Sequence, residues 1–231
     1  MSLSTRSYEK ELLDNDDIPY TDLLINLREL NTVNTFLGGH NITCKGVDHF
    51  INSIPASSLT IAEIGCGGGD NLFAIKKHLA KKQRKAKLTG VDIKRECIAY
   101  AQESGPEIEW ICSDYRTVKW SGDKPDVIFS SLFCHHFTDD ELVAQMQWLK
   151  ANSRVGFFIN DLHRHALAYY SIKIITKLFS RSYLVKNDAP LSVKRGFKKS
   201  EWVKILSDAG IKNYRIKWQW AFRYLICVNH E

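Results

Sequence analysis

Leu59-Thr-Ile-Ala-Glu-Ile-Gly-Cys-Gly-Gly-Gly-Asp70 decides how this chain folds. An apolar run, Leu59–Ile64, passes directly into glycines at 65, 67, 68 and 69, and then into Leu72, Ile75 and Leu79, which share one helical face. That order reads as strand, turn, helix. It puts the unpaired N–H groups of a helix start beside backbone with no side chains to hold a ligand away.

Outward from this stretch the alternation repeats. Strand candidates are Leu59–Ile64, Leu88–Ile93, Ile108–Cys112, Asp126–Ser130, Val155–Ile159, Tyr214–Trp218 and Phe222–Val228, with helical patterns between them. Thr138-x-x-Glu141 reads as a capping box opening a helix over Leu142–Leu149, and Gly210 stops the helix carrying Trp202, Ile205 and Leu206. Apolar strands joined by helices predict an α/β fold with a seven-stranded, mostly parallel, doubly wound sheet of Rossmann-like type. The last two strands lie too close in sequence for a crossover helix, so the last one is expected antiparallel. Ahead of the sheet, Leu23, Leu27, Leu30 and Leu37, then Val47, Phe50, Ile51 and Ile54, predict a helical cap over residues 1–54. The main domain spans 55–231, and within it residues 162–199 form an insertion whose apolar first half, 166–179, is expected to be a helical lid.

With 44% hydrophobic and 25% charged content in 231 residues, the composition is that of a globular chain rather than a disordered, collagen-like or disulfide-stapled one. No stretch approaches the ~18 apolar residues of a membrane-spanning helix. Residues 1–11 lack the apolar centre of a secretory signal, so the sequence predicts a cytoplasmic protein with its six scattered cysteines reduced. The net charge of +6 is modest. Part of the excess, Lys81, Lys82, Arg84 and Lys85, finishes a helix, where cations complement the dipole. Another part, including Arg164, Lys173, Lys177, Arg181, Lys194 and Arg195, is interleaved with apolar residues in the insertion.

Acidic residues narrow the ligand. Asp92 ends the second strand, 23 residues past Gly69, where a carboxylate accepts both hydroxyls of a ribose. A dinucleotide fingerprint, G-x-G-x-x-G, would need glycine where Asp70 stands. Glu63 repels a pyrophosphate but suits a cationic ligand, an ammonium or a sulfonium. Asp114, ending the third strand, is placed to accept from an adenine amino group.

Glu63-Ile-Gly-Cys-Gly-Gly-Gly69, Val91-Asp92, Cys112-Ser-Asp114 and the run Asp126–Phe137 resemble the class I S-adenosylmethionine-dependent methyltransferases over roughly residues 55–231. The resemblance implies S-adenosylmethionine as cofactor and S-adenosylhomocysteine as product. Gly65, Gly67 and Gly69 would pack on the methionine moiety, Asp92 and its neighbour Ile93 on the ribose side, Asp114 and Tyr115 on the adenine, and Ser130 near the methyl group.

The segments after the fourth and fifth strands bear on the acceptor. Ser130-Ser-Leu-Phe-Cys-His-His136 lacks the proline-rich motif that receives a nucleobase amine, and no cysteine follows a proline. The His-His-Phe ending resembles ubiquinone and menaquinone methyltransferases. Asn31–His40, Asp161–His165 and Asp188–Phe197 resemble methyltransferases found beside type III polyketide synthases. This implies O-methylation of a small lipophilic aromatic acceptor, a phenolic or quinol-like polyketide, with no nucleic-acid partner. A histidine near neutral pKa suits removal of a phenol proton. His163, oriented by Asp161, is the first candidate base and His136 the second, with His40, His135, Tyr169, Tyr170 and Phe179 lining the acceptor pocket. His163 and His165 lack a third ligand nearby, so no metal is expected. Arg164 and Arg195 read as surface salt-bridge formers. The sequence leaves the oligomeric state open and leaves room for weak contact with a membrane surface. A methyltransferase or cofactor-bound module that binds RNA through the basic insertion is the alternative, and a nicotinamide oxidoreductase a distant third.

Overall fold

The computed structural model describes residues 3–15, 17–55 and 59–230. Seven strands, β1 (Thr60–Ile64), β2 (Lys87–Asp92), β3 (Glu109–Cys112), β4 (Val127–Ser131), β5 (Gly156–Leu162), β6 (Tyr214–Gln219) and β7 (Arg223–Asn229), make one sheet in the order β3-β2-β1-β4-β5-β7-β6. Pairing is parallel from β3 to β5, and β7 runs antiparallel to both β5 and β6. The strands lie within a residue or three of their sequence-predicted bounds, because each is an apolar run cut off by a turn.

Alternate residues along each strand feed two cores. On one face Ala62, Ile128, Phe157 and Ile226 meet α5 (Asp139–Asn152) and α8 (Lys199–Asp208) through Leu142, Met146, Trp202 and Leu206. On the other, Ile61, Phe129 and Phe158 meet α3 (Asp70–Lys81) and α2 (Gly39–Phe50) through Leu72, Ile75, Val47 and Phe50. The capping box at Thr138 and Glu141 forms with both of its bonds, and Gly210 follows α8 with φ of +71°.

The predicted cap divides. Phe50 in α2 is wholly buried in the sheet's second core, so α2 is a layer of the main fold. α1 (Tyr20–Phe36) lies over the sheet's ligand edge. The predicted lid forms as two helices, α6 (Ala166–Phe179) and α7 (Tyr183–Arg195), and α4 (Arg95–Ser104) completes the set.

Candidate active site

Strand order reverses between β1 and β4, and the crevice at a switch point of this kind is where open α/β sheets take ligands. A cavity of about 500 Å³ opens there, walled by the glycine loop, Asp92, Ile93, Phe133 and His136, and roofed by Leu27, Leu30, Asn31 and Asn34 of α1. Gly65 and Gly69 have φ of +67° and +79°, and a Cβ on Gly65 would stand 2.2 Å from the Phe133 ring. Only glycine satisfies both demands. Asp92 accepts from the Gly67 and Lys94 N–H groups at 2.8 and 2.9 Å. Burial pushes its carboxyl above the usual range against those bonds, so it gains from further donors such as a ribose diol.

Asp70, the first residue of α3, puts a carboxylate on the cavity wall, held by His40 Nε2 at 2.8 Å and by Asn34 Nδ2 at 3.1 Å. It takes the position expected of Glu63. Glu63 lies beneath the loop, off the cavity wall and buried; burial, with Asp70 and Asp92 nearby, pushes its pKa well up, and it accepts one bond from Asn71. Three other residues expected at the cofactor lie off the cavity wall. Asp114 is off the wall and engaged by Arg116. Tyr115 packs edge-on against Phe133, Phe137 and Trp148 in the core. Ser130 is fully buried against Cys134, and its neighbour Ser131 lines the cavity instead. His40 serves Asp70 and lines no acceptor pocket among the described residues.

A second, mostly apolar cavity of about 360 Å³ adjoins the first, and Leu13, Leu30, Asn34, Leu132 and His136 belong to both walls. Leu132, at the end of β4, has φ of +53°, a strained setting for a branched residue at the junction. The lid covers this second cavity with Ala168, Ser171, Ile172 and Ile175 of α6 and with α7. Tyr169, Tyr170 and Phe179 do not line it. Tyr169 is buried toward its helix's own packing face, while Tyr170 and Phe179 are 56% and 79% exposed on the outside.

Residues 3–15 cross the site as a strap. Leu12 and Leu13 donate backbone N–H to Asp188 at 2.8 and 2.9 Å. Arg195 grips the carbonyl of Glu9, Arg164 that of Leu3, and Arg6 those of Phe137 and Arg195. Arg164 and Arg195 are thus 2% and 4% exposed, inward-facing clamps rather than surface residues. The strap delivers Glu11 and Asp14 to the histidines. Asp161 holds His135 Nδ1 at 2.8 Å, Glu11 lies 3.6 Å from its Nε2, and Asp14 holds His136 Nδ1 at 3.0 Å. Burial alone would lower the His135 pKa, but Asp161 and Glu11 outweigh it and raise it to about 9. Glu11 and Asp14 are in turn held low against burial, Asp14 at about 2, by their histidines.

Asp161 therefore orients His135 and not His163. His163 lies outside both cavities, its Nδ1 accepting from the Trp218 indole at 3.3 Å. Burial and the neighbouring His165 and Arg164 keep its pKa low. Glu11, His135 and His136 bring ligand-type atoms within 4.8 Å of one another, a grouping the sequence does not suggest. The sequence offers no sign of Glu11 or Asp14, since the strap has no periodic pattern. For Asp70 there is a trace: an acid directly behind the glycines.

Fold and site together define a class I S-adenosylmethionine-dependent methyltransferase. Residues 61–176 match the family described as methyltransferase domain, and the chain belongs to it. A trans-aconitate 2-methyltransferase of Azoarcus sp. (strain BH72) is 28% identical over 107 residues, 46% of this chain and 34% of that one. The chain thus matches about a third of that relative's length. Among solved structures, a plantazolicin methyltransferase with S-adenosylhomocysteine superposes with a TM-score of 0.69 at 18% identity, over 94% of this chain and 92% of that one. The Synechocystis PCC 6803 magnesium protoporphyrin IX methyltransferase with bound S-adenosylmethionine gives 0.56 at 15%, over 87% and 84%. Human N-acetylserotonin methyltransferase gives 0.62 at 16%, over 91% and 56%.

Proposed function

We propose that this protein methylates a hydroxyl of a small lipophilic aromatic acceptor, a phenolic or quinol-like polyketide, by in-line displacement, with a histidine taking the hydroxyl proton. The observation that carries this reading is the shared wall: an apolar cavity of acceptor size meets the cofactor cavity at Leu132 and His136. S-adenosylmethionine, when bound, supplies a methyl carbon on a positively charged sulfur.

The chain's own part is placement and proton removal. Asp92 would take the ribose hydroxyls, Asp70 the ammonium, and the glycine loop would leave room for the methionine portion. The apolar cavity walls would exclude water and hold the ring so that its oxygen faces the methyl carbon. The oxygen–carbon bond forms as the carbon–sulfur bond breaks, and the proton passes to His136, whose Nδ1 is tied to Asp14. His136 reaches both cavities, which favours it over His163 as the base.

The test is incubation of purified protein with S-adenosylmethionine and 5-pentylresorcinol, followed by mass spectrometry. An O-methyl ether formed by the wild type, and lost in His136→Gln, is the expected outcome. Absence of methylation alongside strongly salt-dependent RNA binding would favour the RNA reading.

A further inference from the structure

β7 opens on Arg223, which is 3% exposed and lines the apolar cavity. Its Nη2 donates to Asn34 Oδ1 at 2.8 Å, whereas its Nη1, equally buried, has no partner among the described residues. The other buried arginines are answered. Arg6 has Asp139, Arg164 has Glu201, and Arg195 has Asp14.

Around Arg223 the acids are already committed, Asp70 to His40 and Asp161 to His135. Burial draws the guanidinium down to about 10, with Asp161 and Asp70 opposing from a distance, so it stays charged at neutral pH. A buried cation left without an ion-pair partner is unfavourable, and an anion delivered by a ligand relieves it. Glycine at position 39 lets the guanidinium sit there: a Cβ on Gly39 would press within 3.0 Å of both Arg223 Nη1 and Asn34 Oδ1.

We propose that Arg223, braced by Asn34, binds a carboxylate carried by the aromatic acceptor. The inference rests on the second cavity being the acceptor site. It narrows the acceptor to hydroxybenzoic-acid type rings with an apolar substituent. Asn34 and His136 each border both cavities, so a ring held by its carboxylate at Arg223 would share its cavity with the histidine that takes the proton. Arg223 positions the acceptor, and His136 handles the proton.

The experiment is titration calorimetry of the protein saturated with S-adenosylhomocysteine, using 2,4-dihydroxy-6-pentylbenzoate and 5-pentylresorcinol, which differ by the carboxylate alone. Wild type is expected to bind the acid at least about tenfold more tightly. Arg223→Met should bring the two affinities together while its S-adenosylhomocysteine affinity holds, and Arg223→Lys should keep part of the preference. Should the methionine variant not fold, the lysine variant and Asn34→Ala, which loosens the guanidinium, carry the test. Equal affinities in wild type, no binding of the acid, or an undiminished preference in all three variants overturns the proposal. Methylation of 5-pentylresorcinol by wild type is scored separately, so a failed carboxylate site is distinguishable from a failed reaction.

Discussion

The two cavities that meet at Leu132 and His136 are built differently. The floor of the cofactor cavity is made by one strand–turn–helix passage and the strand beside it, which bring the glycine loop, Asp70 and Asp92 together within a short span, Asp92 being held by backbone N–H groups. The apolar cavity gathers side chains from the strap, α1, the loop after β4, α6, α7 and β7, segments that lie far apart in sequence. Local backbone geometry shapes the first. Long-range hydrogen bonds and ion pairs, above all those through Arg195, Asp161 and Asp188, shape the second. On the function proposed here, cofactor binding on one side and methyl transfer on the other can therefore be broken independently.

The largest effect should fall on turnover. His136→Gln is expected to lower the methyl-transfer rate by roughly 10²-fold with S-adenosylhomocysteine binding intact; equal loss of both would merge the two sides. Next is Asp92→Ala, expected to weaken S-adenosylhomocysteine binding by at least about tenfold in calorimetry. Arg164→Met should cost about 3 kcal/mol of stability in denaturant unfolding, because it leaves the buried Gly196 carbonyl and Glu201 without the guanidinium and unclamps the strap.

Smallest is a pH effect confined to the acceptor side. His135 has a raised pKa, so its stabilising pairs are complete below about pH 6.5 and fade as pH climbs through about 9. Glu11 and Asp14 have lowered values, so their contribution holds above about pH 4 and fades in acid, that of Asp14 as pH falls toward about 2. Thermal melting should therefore decline from pH 7 to 10 in wild type and decline less in His135→Gln. An identical slope in both would remove His135 as the hub.

Particular residues explain how far the sequence reaches. Glycines 65, 67 and 69, Asp92 and the seven apolar runs are legible because local rules determine them: φ sign, period and turn chemistry. Asp161 and His163 alternate correctly for one strand face, yet β5 ends at Leu162 and the chain turns off toward Phe197, leaving Asp161 to His135. Tyr169, Tyr170 and Phe179 stand out in the sequence for their rings, while the helix angle points Ala168, Ile172 and Ile175 at the cavity. Glu11 and Asp14 arrive by a strap whose path depends on two distant arginines, Arg164 and Arg195. Arg223 leaves one faint sign, a charge at the head of the apolar run ending at Val228.

A crystal structure with S-adenosylhomocysteine bound tests the central claim most directly. The account predicts the nucleoside between the glycine loop and α1, its ribose on Asp92 and its sulfur turned to the opening beside Leu132 and His136. A ligand seated elsewhere, or with its sulfur facing away from the second cavity, would contradict it.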